Sequence, residues 1–175
     1  MMKRLIKITG LIIVLLALAV AGLEMSSSYR VTKNIHESAP VVTKLQIVID
    51  APTDSVWKIF ADVNRWPQWQ KEIPGSKING PFKVGTSFDW KTHGLTIRST
   101  FHTIENNREV GWSGPAFGSF AIHNWHFIKQ GNKTVVKVEE SMEGWLVWLL
   151  SEKFQSVNKG SLIYWLKALK VASEK

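Results

Sequence analysis

Between residues 86 and 143 the chain repeats one pattern: short segments with apolar or aromatic residues at every second position, each closed by a turn signal. The segments are "TSFDWKT" (86–92), "LTIRSTFHTIE" (95–105), "EVGWSG" (109–114), "FAIHNWHFIK" (120–129) and "TVVKVEESME" (134–143). A period of two sends neighbouring side chains to opposite faces of a sheet, so these segments predict strands with one buried face. His93-Gly94 and "QGNK" read as tight turns, which makes neighbouring strands antiparallel. "VVTKLQIVID" (41–50), with Leu45, Ile47 and Ile49 alternating, adds an earlier strand.

The remaining segments must cover that buried face. "APTDSVWKIFADV" predicts a helix: Pro52 stops the strand, Thr53 or Asp54 caps, and Val56, Trp57 and Phe60 carry the helical period. A second short helix ends around "RWPQW", where Pro67 cannot sit inside a long helix. "IPGSKINGPFKVG" is turn-rich. From Trp145 to Ser173 the apolar residues Trp145, Leu149, Phe154, Val157, Trp165, Leu166 and Leu169 predict a long helix with a kink near Asn158-Lys159-Gly160. The order is one strand, two short helices, five or six antiparallel strands and a long C-terminal helix, an α+β arrangement.

The N-terminus follows different rules. "MMKRLIK" is basic, and an apolar run continues through "LIIVLLALAVAGL" (11–23). Residues 5–23 approach the roughly 20 residues that a spanning helix needs. The run predicts a signal anchor over residues 1–24, with the N-terminus cytoplasmic because the positive charges precede it and the domain outside the cytoplasm. Ala19-Val20-Ala21 offers a cleavage pattern for the alternative, an exported protein cut near Ala21. Residues 25–40 are polar and aperiodic and read as a linker, with His36 an ordinary surface residue; residues 41–175 form the domain.

Composition removes several function classes. Cysteine is absent, which excludes disulfides, thiolate metal sites and a cysteine nucleophile. The net charge of +8 is dispersed among acids rather than gathered into a basic footprint, so no nucleic-acid partner is expected. There is no phosphate loop, dinucleotide fingerprint or zinc-protease motif, and no cofactor is expected. "GWSGP" lacks the spacing of a serine nucleophile elbow. The histidines of "HNWH" fall on opposite faces of a strand, so no metal site is expected there. Nine tryptophans, by contrast, demand burial somewhere.

The stretches "IVIDAPTDSVWKIFADVNRWPQW", "GTSFDW", "GWSGPAFGSFAIHNWHF", "KTVVKVEESMEG" and "WLKALK" resemble SRPBCC proteins of the polyketide cyclase/dehydrase type, in the START and birch-pollen-allergen-like superfamily. The resemblance covers residues 41 to 173. It implies the helix-grip fold, a curved antiparallel sheet wrapped around the long C-terminal helix. It also implies a deep apolar cavity between them, used in that superfamily for lipids, sterols, polyketides or plant hormones.

On that frame Trp66 and Trp69 belong to the cavity mouth. By alternation Phe88, Trp90, Ile97, Ser99, Phe101, Val110, Trp112, His123, Trp125 and Phe127 face inward, as does Met142. Either the rings interdigitate and close the interior, or they line a space that a ligand fills. His123 is a candidate to orient a ligand or to act as acid or base, against the alternative of a core histidine satisfied by backbone or water. Glu140 shares the face of Val136, Val138 and Met142 and is the candidate carboxylate, unless it pairs with a basic neighbour near the sheet edge. "WLVWLL" (145–150) is more apolar than one buried helical face needs; it reads as core and cavity lid, or as a place where Val147 or Trp148 touches a bilayer. The leading expectation is a membrane-tethered or exported protein that binds a hydrophobic small molecule or lipid. Behind it stand a cyclase-, dehydratase- or hydrolase-type enzyme using His123 and Glu140, and an interaction module with a collapsed pocket.

Overall fold

The computed structural model describes residues 2–175 and the side chains of all of them except Lys3, Arg4 and Leu5. Met1 and those three side chains, part of the expected basic flank and span, lie outside the described residues. The chain divides into two compact units, Met1–Arg30 and Val31–Lys175. The first is a helix, α1 (Met2–Ser26), whose described apolar side chains are exposed on every side. Its stretch Ile6–Ser26 is long and apolar enough to cross a bilayer.

The second unit is a seven-stranded antiparallel sheet in the order β1-β7-β6-β5-β4-β3-β2, with helices on one face. Its strands are β1 (Val41–Ile49), β2 (Ser76–Ile78), β3 (Ser87–Thr92), β4 (Leu95–Glu105), β5 (Glu109–Ala116), β6 (Ser119–Gln130) and β7 (Lys133–Glu143). Between β1 and β2 come α2 (Thr53–Ala61), one 3₁₀ turn (Val63–Arg65) and α3 (Trp66–Trp69); α4 (Trp145–Leu149) and α5 (Ser151–Ser173) follow β7. This is the helix-grip architecture. The turns act as expected: His93 and Gly94 both take positive φ in the β3–β4 hairpin, and Gly131 does so in the β6–β7 hairpin. The turn-rich stretch before β3 also contributes the three-residue β2, too short to carry a period.

Two local expectations are corrected. No side chain caps α2: Pro52 holds the cap position, and the Thr53 hydroxyl instead accepts a bond from Thr134 Oγ1 at 3.2 Å. The short helix at "RWPQW" is α3, which ends at Trp69 as expected; Pro67 sits in its first turn, where its missing N–H has no bond to lose. The C-terminal helix breaks at Leu150, not at Asn158-Lys159-Gly160, and α5 runs unbroken through Gly160 at a helix penalty of about 1 kcal/mol.

Helix α5 also bonds to the backbone of β1. Gln155 Oε1 accepts from Val42 N, Lys170 Nζ donates to the Val48 carbonyl, and Glu174 Oε1 accepts from Asp50 N just beyond the strand.

The compact unit begins at Val31, ahead of the expected boundary at residue 41, because residues 31–40 pack on the outer face of the sheet. Ile35 is buried there, and Asn124 Nδ2 donates to the Lys33 carbonyl at 2.9 Å. His36 is no idle surface residue: its backbone N–H donates to Ser141 Oγ, and its Nδ1 lies 3.1 Å from Glu143 Oε2. On the same face the β4–β5 register shifts between Phe101 and Thr103, a bulge that inserts His102. The bulge needs Gly111 opposite, where a Cβ would collide with the His102 ring and with Asn124 Oδ1. Burial pushes the His102 pKa down to about 4, and the nearby Lys33 charge acts in the same direction. The unfolded chain therefore takes up this proton near pH 6.5 while the folded chain resists it, so stability falls as the pH drops from about 6.5 to 4. A urea midpoint measured across that range should decline, and His102→Gln should flatten the slope.

Candidate functional site

The inner face of the sheet has two halves. At one end the rings close on each other. Phe60 of α2 is the hub, with ring centroids 4.8 Å from Trp125, 5.2 Å from Phe127, 6.0 Å from Trp66 and 6.2 Å from Trp165. Trp66 is fully buried, donates from Nε1 to the Phe60 carbonyl at 2.7 Å, and meets Phe88 and Trp165 edge-on. Phe88 stacks on Phe101 at 4.6 Å. Trp69 is half-buried against Trp165. Trp66, Trp69, Phe88, Phe101 and Phe127 are therefore packing residues of the closed end, and the placement of Trp66 and Trp69 at a cavity mouth is corrected. The collapsed interior is real, but it occupies only half of the space.

At the other end the inward positions become small. Gly114, Ala116, Ser119 and Ala121 on β5 and β6 stand where the first half carries rings, and above them lies a cavity of about 480 Å³. Its walls are Trp90, Ile97, Ser99, Trp112, His123, Trp125, Glu140 and Met142 from the sheet, all anticipated from the strand period. Helices α4 and α5 add Leu146, Phe154, Asn158, Leu162 and Trp165, and the joint between them adds Leu150. The cavity opens where its lining residues His93, Leu95, Lys153 and Val157 are themselves exposed. The expected inward-facing apolar residue Val110 is buried in the aromatic half.

One polar pair stands in this apolar space. His123 and Glu140 are directly opposed on β6 and β7, and His123 Nδ1 lies 2.9 Å from Glu140 Oε2 with both side chains largely buried. The His123 ring stacks on Trp112 at 5.1 Å, and Trp90 approaches it edge-on at 6.1 Å. Trp90 is itself oriented by donating from Nε1 to Ser99 Oγ at 3.0 Å. Glu140 thus finds His123 rather than a basic group at the sheet edge, and His123 is satisfied by a carboxylate rather than by backbone or water. The Nε1 groups of Trp112 and Trp125 and Asn158 Nδ2 are buried donors without a protein partner. A bound molecule with acceptor oxygens is one way to satisfy such groups.

The residues missed in the sequence were the small ones and the helix face. The signal was present: Gly114, Ala116, Ser119 and Ala121 occupy consecutive inward positions, and 150, 154, 158, 161, 162 and 165 follow helical spacing. His126 lies on the outer face between Glu109 and Glu139, in an open depression of about 780 Å³ lined by charges of both signs. Val147 is buried and Trp148 exposed, which leaves only the latter able to meet a membrane.

Gly144 joins β7 to α4 with φ near 126°. A Cβ there would collide with the Gly118 carbonyl and lie 2.9 Å from Ser119 Cα. Gly144→Ala is expected to cost about 1–3 kcal/mol, read as a lower urea midpoint, and to disturb the α4 wall of the cavity.

The sequence profile of the family described as polyketide cyclase/dehydrase and lipid transport matches residues 40–174. No curated protein matches the chain. Among solved structures, a hypothetical protein of Helicobacter pylori superposes with a TM-score of 0.71 at 16% identity, covering 83% of this chain and 99% of its own. The Zhui aromatase/cyclase of Streptomyces sp. R1128 gives 0.65 at 14%, covering 76% and 93%. A START superfamily protein of Mycobacterium smegmatis gives 0.60 at 17%, covering 76% and 97%. At these identities the likeness is one of fold.

Proposed function

Because the chain belongs to the polyketide cyclase/dehydrase and lipid-transport family, a family of hydrophobic-ligand-binding domains, we propose that residues 41–175 hold one compact hydrophobic molecule in the half-empty end of the grip. The carrying observation is the contrast between the two halves: rings fill one, and small residues leave about 480 Å³ open in the other. That volume falls within the roughly 300–1,000 Å³ of pockets that bury drug-sized ligands. It suits a polycyclic or single-chain molecule rather than a two-chain lipid. Trp90, Ile97, Trp112, Trp125 and Met142 supply the apolar wall, while Ser99, His123 and Glu140 orient a polar end.

Helix α1 serves this role as a tether. Residues 1–24 anchor the chain with its N-terminus in the cytoplasm and the domain outside, and residues 25–40 connect the two; cleavage near Ala21 would instead release the domain. A tether keeps the binder near the phase in which an apolar ligand dissolves. The test is native mass spectrometry of the full chain purified from its own membranes, followed by organic extraction. A defined extra mass of drug or isoprenoid size, with a raised melting temperature over the stripped protein, is expected. A clean unliganded mass and no thermal shift from a panel of isoprenoids, sterols and fatty acids would remove the binding role.

One observation favours a second reading, acid–base catalysis on a carbonyl-bearing ligand. Glu140 engages Nδ1 of His123, which leaves Nε2 as the ring nitrogen available to exchange a proton with a bound molecule. Turnover of the extracted molecule, and a loss of turnover in His123→Gln that far exceeds any loss of binding, separates an enzyme from a carrier.

A further inference from the structure

We infer that the cavity mouth docks on the surface of the bilayer that holds α1, so that ligand passes between cavity and membrane without crossing water. The inference rests on the reading of α1 as a membrane segment.

Three tips of the domain surround the mouth: the β3–β4 turn with Leu95, the β5–β6 turn with Phe117, and the α4–α5 joint with Trp148, Leu149 and Leu150. All five side chains are exposed, Trp148 at 77% and Leu149 at 71%. Helix α4 divides its residues between two tasks. Leu146 and Leu150 line the cavity and Val147 is buried, whereas Trp148 and Leu149 point away from the domain. Nothing in the fold requires these two to be apolar. Exposed apolar residues gathered around an opening mark an interaction surface. Tryptophan is also the side chain best suited to the headgroup layer, where its ring is buried and its N–H stays wet.

Chain length identifies the occupant. The apolar helix ends at Ser26 and the domain begins at Val31, so only residues 27–30 separate them. Four extended residues reach no more than about 14 Å, which keeps the domain against the headgroups. Lys153 at the mouth supplies a positive charge for anionic lipid.

The test uses the full chain in vesicles of phosphatidylcholine and phosphatidylglycerol. Because the chain has no cysteine, Trp148→Cys, Leu16→Cys and Asn132→Cys each carry a single nitroxide label. Position 132 lies in the β6–β7 turn at the opposite end of the sheet, and position 16 lies within α1. Trp148 is exposed, so its replacement leaves the fold intact. The label at 148 is expected to be several-fold less accessible to a water-soluble relaxing agent than the label at 132. Equal accessibility at 148 and 132 overturns the inference. If position 16 is then still lipid-buried, the tether stands and only the docking falls. If 148 is lipid-buried and 16 is not, the mouth meets lipid without a tether, and the inference falls together with the reading of α1. Replacing phosphatidylglycerol with phosphatidylcholine should weaken the protection at 148.

Discussion

Glu140→Ala is expected to destabilise the domain by about 3–5 kcal/mol, because it strips a deeply buried histidine of its partner and opens a gap beside it. His123→Ala should cost a comparable amount, since it leaves a buried carboxylate without its partner. The double variant His123→Leu, Glu140→Leu is the informative one. Replacing both members of a buried pair by apolar groups of similar volume is often neutral or stabilising by about 1–4 kcal/mol. Urea unfolding of the two single variants and the double variant forms a thermodynamic cycle, and the double should recover most of what either single loses. In that case the pair is not there for stability. Its retention in an otherwise apolar cavity then points to a ligand, and bound mass or turnover should fall in the double variant although the fold survives. A double variant as unstable as the singles would instead make the pair a structural cross-link between β6 and β7.

The second large effect is on binding alone. Ala121 lies on β6 between Gly114 and Met142, its side chain facing the cavity. Ala121→Phe places a ring in the open half, continuing the packing that already fills the other half. Added volume in an existing void costs little, so stability should change by less than about 1 kcal/mol in either direction. Ligand affinity should fall by about 100-fold or more, equivalent to about 2.7 kcal/mol, and the extra mass in native spectra should disappear. Retention of that mass in Ala121→Phe would place the ligand elsewhere, and the outer depression around His126 would be the next location to probe.

Most of the fold was legible because the strands alternate cleanly. The period of two fixed which side chains face inward, and Trp90, Trp112, His123 and Trp125 all do. It carried no information about position along the barrel of the grip. Phe88 and Trp90 sit on the same face of one strand, yet the first is packed under Phe101 while the second lines the cavity. That difference depends on what stands opposite, and on how far α2 and α3 reach across the sheet. The polar pair was within reach of the sequence. A two-residue turn at Gly131-Asn132 determines the β6–β7 register, and that register sets His123 opposite Glu140. Two features were not within reach. Residues 31–40 have no period because they bind the sheet through backbone and single side chains rather than through a repeating face. The break at Leu150 carries no glycine or proline, and arises where α4 turns from the end of β7 onto the axis of α5.

The bonds from Gln155, Lys170 and Glu174 to the backbone of β1 and Asp50 have a further consequence for self-association. Strand β1 ends the sheet on one side, and near its two ends the outward-facing Val42 N–H and Val48 carbonyl, with the Asp50 N–H just beyond, are engaged by side chains from the C-terminal helix and its cap. On the other side the sheet ends in β2, which offers only three residues. With β1 tied at both ends and β2 this short, a second copy finds little edge on which to extend the sheet by strand addition while α5 stays folded. Shortening the chain before Lys170 would free the Val48 end of β1 while keeping the Gln155 bond at the other end and the cavity walls.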